Sequence, residues 1–115
     1  MASPIIGRTG PTAPEPIAVG PLSIDDARHE VTLGGTLLSL TTIEYGLLAA
    51  LAAHAGRVFT RAQLLERVWG DDYFGDDHVV DVHIANLRRK LGEDSAQPRL
   101  IETVRGVGYR LRAVP

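Results

Sequence analysis

The chain has 115 residues, no cysteine, 44% apolar and 23% charged residues, and a formal charge of −2. That length holds one domain with a modest core, and the composition is that of an ordinary folded protein. No apolar run approaches the roughly 18 residues of a membrane span, and without cysteine there is no disulfide, thiolate catalysis or Cys-based zinc site, which fits a cytoplasmic location.

Five of the seven prolines fall in the first 21 residues, together with Gly7, Gly10 and Gly20. Such a stretch cannot bury a core, so residues 1–15 read as a disordered linker or tail and residues 16–115 as the folded domain. From Ile17 to Leu40 short apolar pieces (IAV, LSI, EVTL, TLLSL) are separated by turn residues. Gly34-Gly35 between two of them signals a hairpin, and the whole reads as a small antiparallel sheet.

Helical spacing follows. Thr41 and Glu44 have capping-box spacing, Ile43, Leu47, Leu48 and Leu51 share a stripe, and Gly56 is the expected stop. Thr60 with Gln63 opens a second helix, buried through Leu64, Leu65 and Val68 and ended at Trp69-Gly70. The acidic, glycine-broken DDYFGDD is expected to be a loop. A third helix covers residues 79–91, with Asp76 or Asp77 as cap and Gly92 as stop. RLIETV and YRLR around Arg105-Gly106-Val107-Gly108 then form a second hairpin.

The net charge averages two unlike regions. Residues 1–82 carry five Arg against eleven Asp and Glu, a balance of −6; residues 83–115 carry six Arg and one Lys against three acids, a balance of +4. The basic region suggests a local anion-binding surface.

The third helix has two distinct sides. At about 100° per residue, Val80, Ile84, Leu87 and Leu91 form a core stripe. His78, Val82, Ala85, Asn86 and Arg89 lie opposite, with Val79 and His83 on one flank and Asp81 and Arg88 on the other. An acid-free surface of small apolar groups, Asn and Arg suits a DNA major groove. An ordinary helix whose Arg88, Arg89 and Lys90 complement the C-terminal dipole fits equally well. The hairpin decides between them: Arg105 at its tip is the residue type that enters narrow minor grooves, and a helix followed by a basic hairpin is a winged helix-turn-helix arrangement.

LTTIEYGLLAAL, RAQLLERVWG, VVDVHIANLRRKL and IETVRGVGYRL, in this order, resemble the DNA-binding effector domain of OmpR/PhoB-type response regulators. The resemblance covers residues 17–113. It implies an α+β winged helix-turn-helix with an N-terminal four-stranded antiparallel sheet, three helices and a C-terminal β-hairpin wing. It further implies transcription regulation by sequence-specific binding to direct repeats in double-stranded promoter DNA, with the isolated domain a monomer and a dimer forming on DNA.

By position, Val79, Val82, His83, Asn86 and Arg105 are the base-contacting candidates, Arg105 in the minor groove. Arg61, Trp69, His78, Arg88, Arg89, Thr103 and Tyr109 are the backbone-contacting ones. Gly70, Asp71, Asp72, Tyr73, Phe74, Gly75, Asp76 and Asp77 match the loop that relatives use to contact RNA polymerase. Ala85 and Asn86 replace arginines of several relatives, implying different preferred bases, and His78 and Val79 replace Arg and Thr, weakening phosphate anchoring. The family's phosphorylated receiver domain, through which a sensor kinase acts, does not form part of this sequence. The resemblance leaves an excised fragment or a free-standing effector, and the Pro-rich stretch, standing where the interdomain linker would be, favours the fragment.

Other chemistries fit less well. Asp77 and Asp81 share a flank while His78 and His83 point elsewhere, so no metal site is expected; caps and an acidic loop explain the aspartates. Ser3, Ser23, Ser39 and Ser95 lie in no nucleophile-elbow context, and no glycine-rich phosphate loop opens a helix. No enzymatic activity and no cofactor are expected, and His29 and His54 have no evident partner. The alternative is a winged-helix protein–protein module docking through the valine-bearing helix face. Convergence of Arg88, Arg89, Arg105 and Arg110 on one face would speak for DNA.

Overall fold

The computed structural model describes residues 17–70, 75–92 and 100–112; the expected linker at 1–15 lies outside them. Strands β1 (Ile17–Val19), β2 (Leu22–Asp25), β3 (Glu30–Leu33) and β4 (Thr36–Leu38) form an antiparallel sheet in sequence order. Alternation sets its inner face: Leu22 and Ile24 are buried, whereas Ser23 and Asp25 are half-exposed. Gly34 and Gly35 both take positive φ, 58° and 87°, as the tight β3–β4 hairpin requires.

Helix α1 (Thr42–Ala53) opens with the expected capping box: Glu44 N donates to Thr41 Oγ1 at 3.1 Å, and Thr41 N donates to Glu44 Oε1 at 2.9 Å. Leu47, Leu48 and Leu51 are fully buried against the sheet's Val19, Leu22, Ile24 and Val31, while Ile43 is half-buried at the edge of this core. The helix ends at Ala53, before Gly56, whose N–H donates to Leu111 O at 2.7 Å. Helix α2 (Arg61–Trp69) repeats the capping box with Thr60 and Gln63. Leu64 is buried; Leu65 and Val68 pack half-buried beside it.

Helix α3 (Val79–Lys90) departs from expectation at both ends. Its N-cap is His78, which already has helical dihedrals and makes no capping bond, so neither Asp76 nor Asp77 holds that position. The chain enters through a tightened turn, with Val79 N donating to Asp76 O and Val80 N to Asp77 O. The Asp76 carboxylate acts within that turn, accepting from His78 N at 2.9 Å. At the other end the helix stops at Lys90, Leu91 is its C-cap, and Gly92 follows with φ 72°.

Strands β6 (Ile101–Val104) and β7 (Gly108–Leu111) form the expected hairpin, but it belongs to a three-stranded sheet. Between α1 and α2, β5 (Phe59–Thr60) pairs with β7 through Phe59↔Tyr109 and Thr60↔Gly108. Gly108 is therefore not a hairpin-tip glycine. A Cβ on it would stand 1.9 Å from Phe59 O. The turn is made by Gly106, with φ 76°, and closed by Val107 N donating to Val104 O. Among the described residues this is the expected α+β winged helix-turn-helix with three helices, and no helix is long and apolar enough to cross a membrane.

An ion pair ties the first helix to the third. Glu44, 3% exposed, accepts from Lys90 Nζ at 2.6 Å as well as from its own cap. Burial pushes the Glu44 carboxyl up, but Lys90 and Thr41 outweigh it and hold the pKa below the ordinary 4.5.

Two predictions follow from these contacts. Gly108→Ala should destabilise by about 3 kcal/mol, because backbone must move, whereas Gly106→Ala, in open space at positive φ, should cost about 1–2 kcal/mol; urea midpoints of the two variants give the order. Glu44→Gln should lose stability at neutral pH, and the difference should close as pH falls below 4.5 through the lowered Glu44 pKa. Thermal melts across that pH range measure it.

Candidate nucleic-acid interface

Helix α3 turns Val80, Ile84 and Leu87 into the core and leaves the opposite side outward. Val82 is 59% exposed there, although an apolar side chain gains nothing from water. Ala85 and Arg89 are exposed beside it, Asn86 is half-exposed, and Arg89 Nη2 donates to Asn86 Oδ1. The structure thus brings Val82, Asn86 and Arg89 onto one free surface. Val79 and His83 are less available. Val79 packs half-buried against the core, and the His83 ring tilts against Trp69 at 5.6 Å.

The other flank is held by Asp81. Arg61 Nε of α2 donates to its carboxylate at 2.7 Å, and the Tyr109 hydroxyl of β7 donates to the same oxygen. Arg88, two turns along α3, donates through Nη2 to Ile101 O at 2.9 Å and Thr103 Oγ1 at 2.7 Å, both in β6. The guanidinium carbons of Arg61 and Arg88 lie 5.7 and 5.6 Å from the Tyr109 ring centre. Arg88 Nε is buried without a hydrogen-bond partner among the described residues.

Burial raises the Asp81 pKa, but the bonds from Tyr109 and Arg61 bring it below the ordinary value. Tyr109 is pushed up to about 12 by burial and by Asp81. Four residues expected at the DNA backbone, Arg61, Arg88, Thr103 and Tyr109, are thus joined to one another directly or through Asp81. Sequence reasoning gave Asp81 no role, although the only acid in α3 was a signal that it had a specific partner.

The basic groups do not all gather on this side. Lys90 is turned to Glu44. Arg110 bonds Glu102, its cross-strand partner, and alternation along β6 and β7 sets that pair on the face opposite Thr103 and Tyr109. Of Arg88, Arg89, Arg105 and Arg110, whose convergence on one face would speak for DNA, Arg110 therefore faces away. Arg105 is exposed at the turn and has no side-chain partner among the described residues, with Val107, 46% exposed, beside it.

At the entry to α3, His78 Nδ1 lies 2.7 Å from Asp76 Oδ1 and 3.7 Å from Asp77 Oδ1. These three side chains bring ligand atoms within 4.8 Å of one another, closer than sequence spacing implied. The Asp76 carboxylate is already engaged with both nitrogens of His78 that face it, backbone and ring. Asp81 and His83 stand apart from the cluster in separate contacts. Of the loop matched to polymerase contact, Gly70, Gly75, Asp76 and Asp77 are described, while Asp71, Asp72, Tyr73 and Phe74 lie outside the described residues. His29 and His54 do have partners: His29 stacks on Tyr45 at 3.7 Å, and His54 lies 6.0 Å from the Phe59 ring.

Asp76 raises the pKa of His78 above 6.5 by hydrogen bond and charge. The imidazolium should accordingly persist to higher pH than that of a free histidine. Asp76→Asn should return the titration, followed by NMR of the ring protons, toward 6.5.

Residues 35–111 match a family model described as transcriptional regulatory protein, C terminal. The transcriptional regulatory protein PrrA of Mycobacterium leprae is 51% identical over 106 residues, which are 92% of this chain and 45% of PrrA. The sensory transduction protein RegX3 of Mycolicibacterium smegmatis is 46% identical over 95 residues, 83% of this chain and 42% of RegX3. The chain spans less than half the length of these curated relatives.

Among solved structures, the RstA DNA-binding domain of Klebsiella pneumoniae, in complex with the RstA box, superposes with a TM-score of 0.79 at 40% identity, covering 85% of this chain and 97% of that one. DrrB of Thermotoga maritima, an OmpR/PhoB homologue, gives 0.78 at 36% identity over 85% of this chain and 44% of its own. The chain belongs to the C-terminal domain family of transcriptional regulatory proteins, as a winged-helix domain of the OmpR/PhoB response-regulator type.

Proposed function

We propose that the domain binds double-stranded DNA sequence-specifically and regulates transcription, as the effector part of a two-component response regulator acting in the cytoplasm. The observation that carries this reading is the outward face of α3, an exposed Val82 in line with Asn86 and Arg89, next to a wing whose turn presents Arg105, which has no side-chain partner among the described residues. An apolar group, an amide and a guanidinium on one helix suit the major groove, and a projecting arginine suits the minor groove. RstA, similar in sequence and fold, is seen bound to its own DNA box. That complex favours DNA over a protein partner for this face.

In this reading Val82, Asn86 and Arg105 meet bases, and Val79 and His83 offer only their exposed edges. His78, Trp69 and Arg89 approach the backbone. Arg61, Arg88, Thr103 and Tyr109 reach phosphate through the groups that their mutual contacts leave over. The loop Gly70–Asp77 contacts RNA polymerase, and two copies assemble on direct repeats. A sensor kinase acts only through a receiver domain. The domain itself has no catalytic role.

Fluorescence anisotropy with promoter duplexes tests the reading. Affinity should fall by roughly 0.9 log units per log unit of salt for each phosphate neutralised. Arg105→Ala should weaken sites with A/T-rich flanks more than G/C-rich ones, since the narrow groove carries the stronger potential. Salt-independent binding, or none, would refute it.

A further inference from the structure

Arg89 and Asn86 lie three positions apart on the free side of α3, and Arg89 Nη2 donates to the Asn86 amide oxygen. A guanidinium has donors and no acceptor, so the amide atom that meets it must be Oδ1. In that arrangement Nδ2, with both its hydrogens, is turned away from Arg89. Exposed Ala85 adds no bulk beside the pair, and Val82, 59% exposed, lies one turn earlier on the same stripe.

An asparagine reads adenine by donating to N7 while accepting from the N6 amino group. Here the accepting oxygen is already engaged, and a second donor brought to it would stand against the guanidinium charge. Guanine presents O6 and N7, two acceptors and no donor, on its major-groove edge. Both Asn86 Nδ2 and the remaining Arg89 N–H groups can donate to that edge.

We infer that Asn86 and Arg89 form one donor fork that reads guanine, with Val82 against the methyl group of a neighbouring thymine. Arg89 thereby belongs to base recognition rather than to backbone contact. The inference rests on the DNA-binding reading above and names the base that its central side chain selects.

Selection from a pool of random duplexes, followed by sequencing, tests it with the full chain, Asn86→Ala and Arg89→Ala. Circular dichroism confirms that each is folded. The unaltered chain should enrich a motif with a guanine that both variants cease to select. Replacing that guanine by 7-deazaguanine should weaken the unaltered chain about tenfold and Arg89→Ala hardly at all. An adenine at the position, lost in Asn86→Ala and kept in Arg89→Ala, overturns the fork and leaves DNA binding standing. No enriched motif from the folded chain removes the DNA reading and the fork together.

Discussion

The geometry of the candidate interface depends on one carboxylate. Asp81 is the only acid on α3, and it receives a donor from α2 and another from β7. The wing also shares the buried core with α3 through Ile101 and Leu111, and Arg88 reaches β6 directly. Backbone pairing of β7 with β5 anchors one side of the wing, and side-chain contacts to α3 add a second constraint on its direction. Such part-buried charged contacts add little net stability, because desolvation offsets attraction. Their effect is angular: they fix where the tip of the hairpin stands relative to the outward side of the helix.

The same contacts sort the charges. Lys90 neutralises a buried glutamate, Arg110 a strand neighbour and Arg61 the central aspartate. Among the described residues Arg89 and Arg105 are left pointing outward, while Arg88 keeps its charge but turns its donors to Ile101 O and Thr103 Oγ1. A surface with few free cations gains little from long-range attraction to a polyanion. Discrimination then has to come from short-range contacts, for which the amide of Asn86 and the bare Val82 are suited.

Much of the fold was legible because its signals are local. Thr41 with Glu44 and Thr60 with Gln63 announce helix starts within four residues, and Gly34-Gly35 announces a turn within two. The outward and inward faces of α3 follow from period alone. Contacts between distant residues left no such trace. Strand β5 has two residues, too few to show alternation, and Gly108 looks like a turn glycine until Phe59 is seen lying against it. Glu44 was read as a cap residue, but its second partner is 46 positions away. The start of α3 at Val79 was read correctly, but its cap was misassigned, because the tightened turn carries helical dihedrals through His78 and moves the cap past the aspartates.

Thr60 belongs to two elements at once. It is the strand residue opposite Gly108 and the N-cap of α2. The last strand in the sequence therefore closes on a segment that precedes two of the three helices. A chain emerging from the ribosome can form its first sheet and α1 early, but β5 finds its mate only after β7 has been made. The price is a late, non-local closing step, since pairings of high sequence separation form slowly. The benefit is that the wing cannot exist as a separate appendage: any partial chain that lacks β7 also lacks the edge against which α2 begins.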